Sequence, residues 1–123
     1  MQSKAILIID YEKAVRDSLQ LVMREEGYNC FTSQDETDAF QILDTEEIGI
    51  VILDSELAVK QNLLKRIKER SPHIKSIVLS SYVSLETCRL ALMNEADEFL
   101  LKPLDFDELI LLVNKLYSSH KIH

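Results

Sequence analysis

A chain of 123 residues with 46% of them apolar suits one hydrophobic core, and a multidomain arrangement is excluded. Fourteen Lys and Arg against twenty-one Asp and Glu leave a formal charge of −7 with neutral His, which repels phosphate backbones and excludes autonomous binding to nucleic acid. The same charge favours cations and basic partners. In chain order, the β-branched run Ala5 to Ile9 predicts a strand. Val15, Leu19, Val22 and Met23 then recur at helical spacing and stop at Gly27. Tyr28 to Phe31 predicts a brief second strand, and Ser33 with Glu36 three residues on reads as a capping box opening a helix through Leu43. Ile48 to Leu53 is a solid apolar run, followed by a helix over Asn62 to Arg70 that Ser71-Pro72 cannot continue. Ile74 to Leu79, a helix from about Ser84 to Asn94, the strand Glu98 to Leu101 and a last helix opened by Asp105 with Glu108 complete five βα units.

Apolar strands without polar alternation are buried on both faces, which predicts an α/β fold with a doubly wound, five-stranded parallel sheet and helices on both faces. Five units are too few for an eight-fold barrel, and no linker interrupts them, so residues 1–123 read as a single domain. No apolar run approaches the roughly 20 residues of a membrane helix, and MQSKAILIID meets charge too early for a secretory leader. A cytoplasmic domain without membrane contact is expected. Cys30 and Cys88 form neither a Cys-x-x-Cys pair nor a zinc set and read as packed thiols. Gly27 and Gly49 are too separated for a glycine-rich phosphate cradle.

In open α/β sheets the functional crevice lies beyond the carboxyl ends of the strands. Here those ends carry Asp10, Asp54, Ser80 with Ser81, and Lys102 followed by Pro103. Converging carboxylates repel unless a cation separates them, and hard oxygen ligands suit Mg²⁺ or Mn²⁺. A carboxylate can also attack phosphorus to give an acyl phosphate when positive charge and donors stabilise the transferring oxygens. Lys102, Ser80 and the metal would supply them.

With these residues in place, the chain resembles the receiver domain of two-component response regulators over essentially its whole length. The motifs are ILIID followed by Tyr11-Glu12, VILD ending at Asp54, IVLSS with Ser80, and Phe99 to Pro103. The resemblance implies the flavodoxin-like strand order 2-1-3-4-5 and a phosphorylation-controlled signalling module in a phosphorelay. It implies a phosphoacceptor at Asp54, a metal-site acid at Asp10, a phosphate-sensing hydroxyl at Ser80 and the family lysine at Lys102. The Glu56 backbone carbonyl would complete a metal sphere with Asp10 and Asp54. Phe99 falls at the position of an aromatic switch, and the Lys102-Pro103 bond is usually cis in this family. The implied donor is a histidine kinase or phosphotransfer protein, and the implied output is an effector domain or a homodimer. Such a domain is not an enzyme beyond its own aspartyl phosphorylation and dephosphorylation.

Three departures from the family pattern stand out. Tyr11 occupies the place of the acid that touches the metal directly; a phenol with pKa about 10 carries no charge near neutrality, so metal binding is expected to be weak. An alternative reading follows: a pseudo-receiver, acting as a phosphorylation-independent interaction module because Tyr11 replaces that acid. The stretch Ser55 to Asn62 makes the loop after Asp54 about two residues short by comparison with the family. Glu95 replaces a common Gly, so Asn94 and Glu95 are expected to turn the chain without left-handed freedom, at some cost in stability. A flavin carrier is disfavoured because Asp10-Tyr11-Glu12-Lys13 lacks small hydroxyl and glycine residues.

On the last predicted helix Phe106, Leu109, Ile110, Val113, Leu116 and Tyr117 form the inward stripe, leaving Leu111 and Leu112 outside it. On the helix before it Leu85, Cys88, Ala91 and Leu92 face inward, leaving Leu90 and Met93 pointing away. These four stranded apolar residues predict a partner surface. Tyr82 and Tyr117 read as half-buried packing residues, and His73, His120 and His123 are given no role.

Overall fold

Successive side chains of a strand point to opposite faces, so a fully apolar strand between two helical layers feeds two separate cores. The computed structural model describes residues 5–93 and 95–122, with the side chains of Gln61 and of residues 119–122 outside that description. Five strands, β1 (Ala5–Ile9), β2 (Asn29–Ser33), β3 (Ile50–Asp54), β4 (Lys75–Ser80) and β5 (Glu98–Leu101), pair in parallel in the order β2-β1-β3-β4-β5. The helices are α1 (Lys13–Glu25), α2 (Glu36–Thr45), α3 (Ser55–Val59), α4 (Leu63–Arg70), α5 (Leu85–Leu92) and α6 (Phe106–Ile122). Ile6, Ile8, Ile50 and Ile52 pack under α1 and α6 with Leu19, Met23, Leu109 and Val113. Their strand neighbours Leu7, Ile9, Val51 and Leu53 pack under α2 to α5 with Leu43, Leu57, Leu64 and Cys88. The doubly wound sheet expected from the strand pattern is therefore the observed architecture.

Local chemistry explains where boundaries move. Gly27 takes φ +92 after α1, its N–H donating to the Arg24 carbonyl and that of Tyr28 to the Met23 carbonyl, a helix-ending pair of bonds that needs glycine's left-handed freedom. Tyr28 is thus spent on ending α1, and β2 runs from Asn29 to Ser33 instead of Tyr28 to Phe31. Ser33 is the last strand residue, so the expected capping box is replaced: Asp35 caps α2, its Oδ1 accepting from the Asp38 N–H at 2.9 Å. The Ser33 hydroxyl instead donates to the Asp35 carbonyl at 2.7 Å and turns the chain.

The largest difference follows Asp54. The stretch expected to be a shortened loop is helix α3, then a 3-10 turn over Lys60–Asn62, with Asn62 at φ +56 before α4. Leu57 and Ala58 bury on the α2 to α5 side, which rewards a helix of even five residues. At the turn expected over Asn94 and Glu95, the Glu95 N–H donates to the Leu92 carbonyl at 3.0 Å, and Asn94 lies outside the described residues.

Burial also corrects several side chains. Tyr82 is 79% exposed, while Tyr117 is fully buried, its hydroxyl donating to the Ala5 carbonyl at 2.7 Å and its ring stacked on Tyr28 at 5.4 Å. Phe106, expected to face inward, is exposed at the start of α6, and Ala91 is exposed on α5. Leu112, expected outside the stripe, is half-buried against the α1–α6 core. Burial pushes the Cys30 thiol up to about 12 despite the opposing charge of Arg24, which makes it an inert packing group. His73 is exposed, the side chain of His120 and all of His123 lying outside the described residues. Among the described residues no helix is long and apolar enough to cross a membrane.

Candidate functional site

Parallel pairing with this register delivers the ends of β1, β3, β4 and β5 to one edge of the sheet. Asp54 closes β3, Ser80 closes β4, and Asp10 and Lys102 follow β1 and β5 directly. The Asp10 N–H donates to the Ser33 carbonyl and the Lys102 N–H to the Ser80 carbonyl, so both side chains leave from backbone still tied to the sheet.

Three of the four sequence-derived residues meet. The Lys102 ammonium lies 2.7 Å from Asp54 Oδ1 and 3.6 Å from Asp10 Oδ2. Asp54 Oδ2 accepts from the Glu56 N–H at 3.0 Å, so the same carboxylate is the N-cap of α3. Asp10 is only 2% exposed; its Oδ1 accepts from the Glu12 N–H at 2.9 Å. Its Oδ2 is buried without a hydrogen-bond partner. Burial alone would lower the pKa of Lys102. The hydrogen bond and charge of Asp54, joined by the charges of Asp10 and Glu12, outweigh that and hold it above the ordinary lysine value. Ser80 is fully buried, but its hydroxyl donates to the Ser81 carbonyl at 3.1 Å and leaves the carboxylates.

A buried carboxylate oxygen that accepts no hydrogen bond, beside a second carboxylate, fits a hard divalent cation. The rest of the expected sphere differs. The Tyr11 ring is 50% exposed and its hydroxyl accepts from the Lys60 ammonium at 3.4 Å. The Glu56 carbonyl accepts the Lys60 N–H within α3; helical carbonyls run toward the C-terminal end, so it is directed away from the Asp54 cap. Asp10 and Asp54 are therefore the two carboxylates that would hold a cation at this edge. No group of three or more His, Cys, Asp or Glu side chains is suited to hold a metal among the described residues.

Phe99 is half-buried against the α2–α5 core and lines a cavity of about 450 Å³ with Leu85, Arg89 and Pro103. The Lys102-Pro103 bond beside it is cis. Leu90 on α5, Met93 directly after it and Leu111 on α6 are all about two-thirds exposed. Two residues that sequence reasoning missed support the edge. Arg16 donates to the Asp10 and Tyr11 carbonyls at 2.7 and 2.9 Å and pins the loop carrying both, and Lys60 covers Tyr11. Neither belongs to a motif or a periodic stripe, so no sequence signal marked them.

Comparison with known proteins agrees with this arrangement. The chain is 29% identical over 126 residues to a putative NtrX-like response regulator of Rickettsia felis, covering 99% of this chain and 26% of that protein. It is 32% identical over 120 residues to the transcriptional regulatory protein ZraR of Escherichia coli K12, covering 95% and 27%. The chain thus spans about a quarter of the length of these curated relatives. Among solved structures, the signal receiver domain of an HD domain-containing protein from Pseudomonas fluorescens Pf-5 superposes with TM-score 0.88 at 25% identity, covering all of both chains. The family model for the response regulator receiver domain matches residues 6–114. Sheet order, polar strand ends and this match lead to one assignment: the chain belongs to the receiver domains of two-component response regulators.

Proposed function

We propose that this domain accepts a phosphoryl group on Asp54 from a histidine kinase or phosphotransfer protein in the cytoplasm and passes the change to a protein partner. The observation that carries this reading is the Asp54 carboxylate, one oxygen held by Lys102 at 2.7 Å and the other by the Glu56 N–H at 3.0 Å. A carboxylate has no proton to lose, so an Asp54 oxygen forms the new O–P bond as the donor's N–P bond breaks, and the electron pair stays on the imidazole. The Lys102 ammonium and Glu56 N–H, both bonded to the Asp54 carboxylate, would turn to the phosphoryl oxygens as these gather charge. Receiver domains generally bind Mg²⁺. Here Asp10 and Asp54 would hold it, and when bound it would offset the charge of the transferring oxygens.

For output, the Ser80 hydroxyl would leave the Ser81 carbonyl for a phosphoryl oxygen, and the Phe99 ring would move into the space released. Leu90, Met93 and Leu111 are then the proposed contact surface for an effector domain or a second copy. Half-buried Leu112 contributes from its edge. Leu90→Ser combined with Leu111→Ser is expected to lower self-association or partner affinity with an unchanged melting temperature. Unchanged sedimentation and partner binding would remove the surface assignment.

The deciding experiment is treatment with acetyl phosphate and Mg²⁺ followed by intact mass. The wild type should gain one phosphoryl group and Asp54→Asn none. A label that persists in Asp54→Asn moves the acceptor elsewhere. A wild type that never gains the label supports the pseudo-receiver, the reading that the uncharged Tyr11 favours.

A further inference from the structure

At this edge the Lys102 ammonium bridges Asp10 and Asp54, Arg66 pairs with Glu36, and Arg16 is spent on the Asp10 and Tyr11 carbonyls. Lys60 differs. Among the described residues it makes no ion pair, although Glu56 and Glu36 line the cavities on either side of it. Its ammonium instead donates to the neutral Tyr11 hydroxyl at 3.4 Å and lies 5.9 Å from the ring centroid.

Its backbone is tied to the acceptor. The Lys60 N–H donates to the Glu56 carbonyl and the Glu56 N–H donates to Asp54 Oδ2, so α3 fixes the separation between Asp54 and Lys60. Lys60 and Tyr11 line a cavity of about 580 Å³ together with Ser55 and Glu56, the two residues that follow Asp54 in the chain. Resting on the proposed phosphoryl acceptance, we propose that Lys60 is a second phosphoryl-recognising cation. It supplies positive charge beside Asp54 at the position where Tyr11 has removed a metal-binding acid.

The charges support it. Asp10 and Asp54 carry two negative charges, and Lys102 offsets one. Acyl phosphate formation replaces the single charge of the Asp54 carboxylate with about two on the phosphoryl group, a net gain of about one negative charge near neutral pH. With an acid at position 11 a firmly held divalent cation would meet that excess. With Tyr11 there, the cation is held by two carboxylates only, and the Lys60 ammonium on its flexible stem meets part of the excess without metal. The Tyr11 contact keeps the unpaired ammonium at the rim until an anion arrives.

The test uses beryllofluoride, a phosphoryl mimic that binds the acceptor carboxylate, titrated by ¹⁹F NMR at trace and at saturating Mg²⁺. The proteins are the wild type, Lys60→Met and Lys60→Arg. At trace Mg²⁺, Lys60→Met should bind about tenfold more weakly, the size of one charge-assisted hydrogen bond. The gap should narrow at saturating Mg²⁺, and Lys60→Arg should stay within about threefold of the wild type. Lys60 is exposed, and matching melting curves will show that both variants fold. Equal or tighter binding by Lys60→Met at trace Mg²⁺, or no binding by the wild type, overturns the proposal. If beryllofluoride binding depends on Lys60 while acetyl phosphate leaves Asp54 unlabelled, phosphoryl acceptance fails and anion recognition by Lys60 stands. If Asp54 is labelled normally while beryllofluoride binding ignores Lys60, phosphoryl acceptance stands and the role of Lys60 fails.

Discussion

Tyr11→Asp should raise Mg²⁺ affinity by about tenfold or more and lower the stability of the metal-free domain. The substitution adds a third carboxylate, in the residue after Asp10, to a pair made of Asp10, whose buried Oδ2 accepts no hydrogen bond and has the Lys102 ammonium at 3.6 Å, and Asp54, whose Oδ1 is held by Lys102 at 2.7 Å. Each negative charge within a few ångströms strengthens the pull on a divalent ion, and tenfold in affinity is about 1.4 kcal/mol. A half-exposed position keeps the local dielectric high, which limits the gain. Without metal the same charge is repelled by its two neighbours, and Lys102 with the Lys60 ammonium beside position 11 offsets only part of the three, for a loss of about 1 kcal/mol. Calorimetric Mg²⁺ titration and melting curves with and without Mg²⁺ report the two halves separately. Equal Mg²⁺ affinity in both proteins would place position 11 outside the cation site.

Gly49→Ala should be the most damaging single methyl in the fold. A Cβ at Gly49 would stand 2.6 Å from the Tyr117 hydroxyl oxygen, 2.8 Å from Cε1 and 3.1 Å from Cζ. The ring cannot step aside cheaply, because Tyr28 stacks on it and its hydroxyl holds the Ala5 carbonyl. Overpacking costs about 1–3 kcal/mol and an orphaned buried hydrogen bond about 1–3 more, so a loss near 3 kcal/mol is expected. For a domain of this size that lowers the melting temperature by about 10 °C. Tyr117→Leu in the same chain should recover part of the loss by clearing the ring. A Gly49→Ala variant that melts with the wild type would mean that α6 shifts freely over β3.

The strands were legible because a parallel sheet buried on both faces demands unbroken apolar runs, and Ile50 to Leu53 or Ile77 to Leu79 have no other use. Asp10, Asp54 and Lys102 were legible for a related reason: a charged residue directly after such a run can only stand at the sheet edge. Helix α3 was hidden since five residues are too few to show a period, and its cap is the site residue Asp54 itself. The cap of α2 was misplaced because both Ser33 and Asp35 are good capping residues; strand pairing as far as Ser33 decided between them. The packing of Tyr117 on Gly49 and the reach of Lys60 to Tyr11 join residues 68 and 49 positions apart, and local pattern carries nothing about such meetings.

The hydroxyl of Tyr117 also has a mechanical consequence. It anchors α6 to the Ala5 carbonyl at the start of β1, the strand whose other end presents Asp10. The family match stops at residue 114, yet Leu116 and Tyr117 are still buried in the α1–α6 core. A segment excised at that family boundary would lose its deepest aromatic anchor, so the cooperative unit extends at least three residues further. A torque applied to α6 near Tyr117 is accordingly delivered to the foot of the interior strand β1, at the far end from the Asp10 and Asp54 edge.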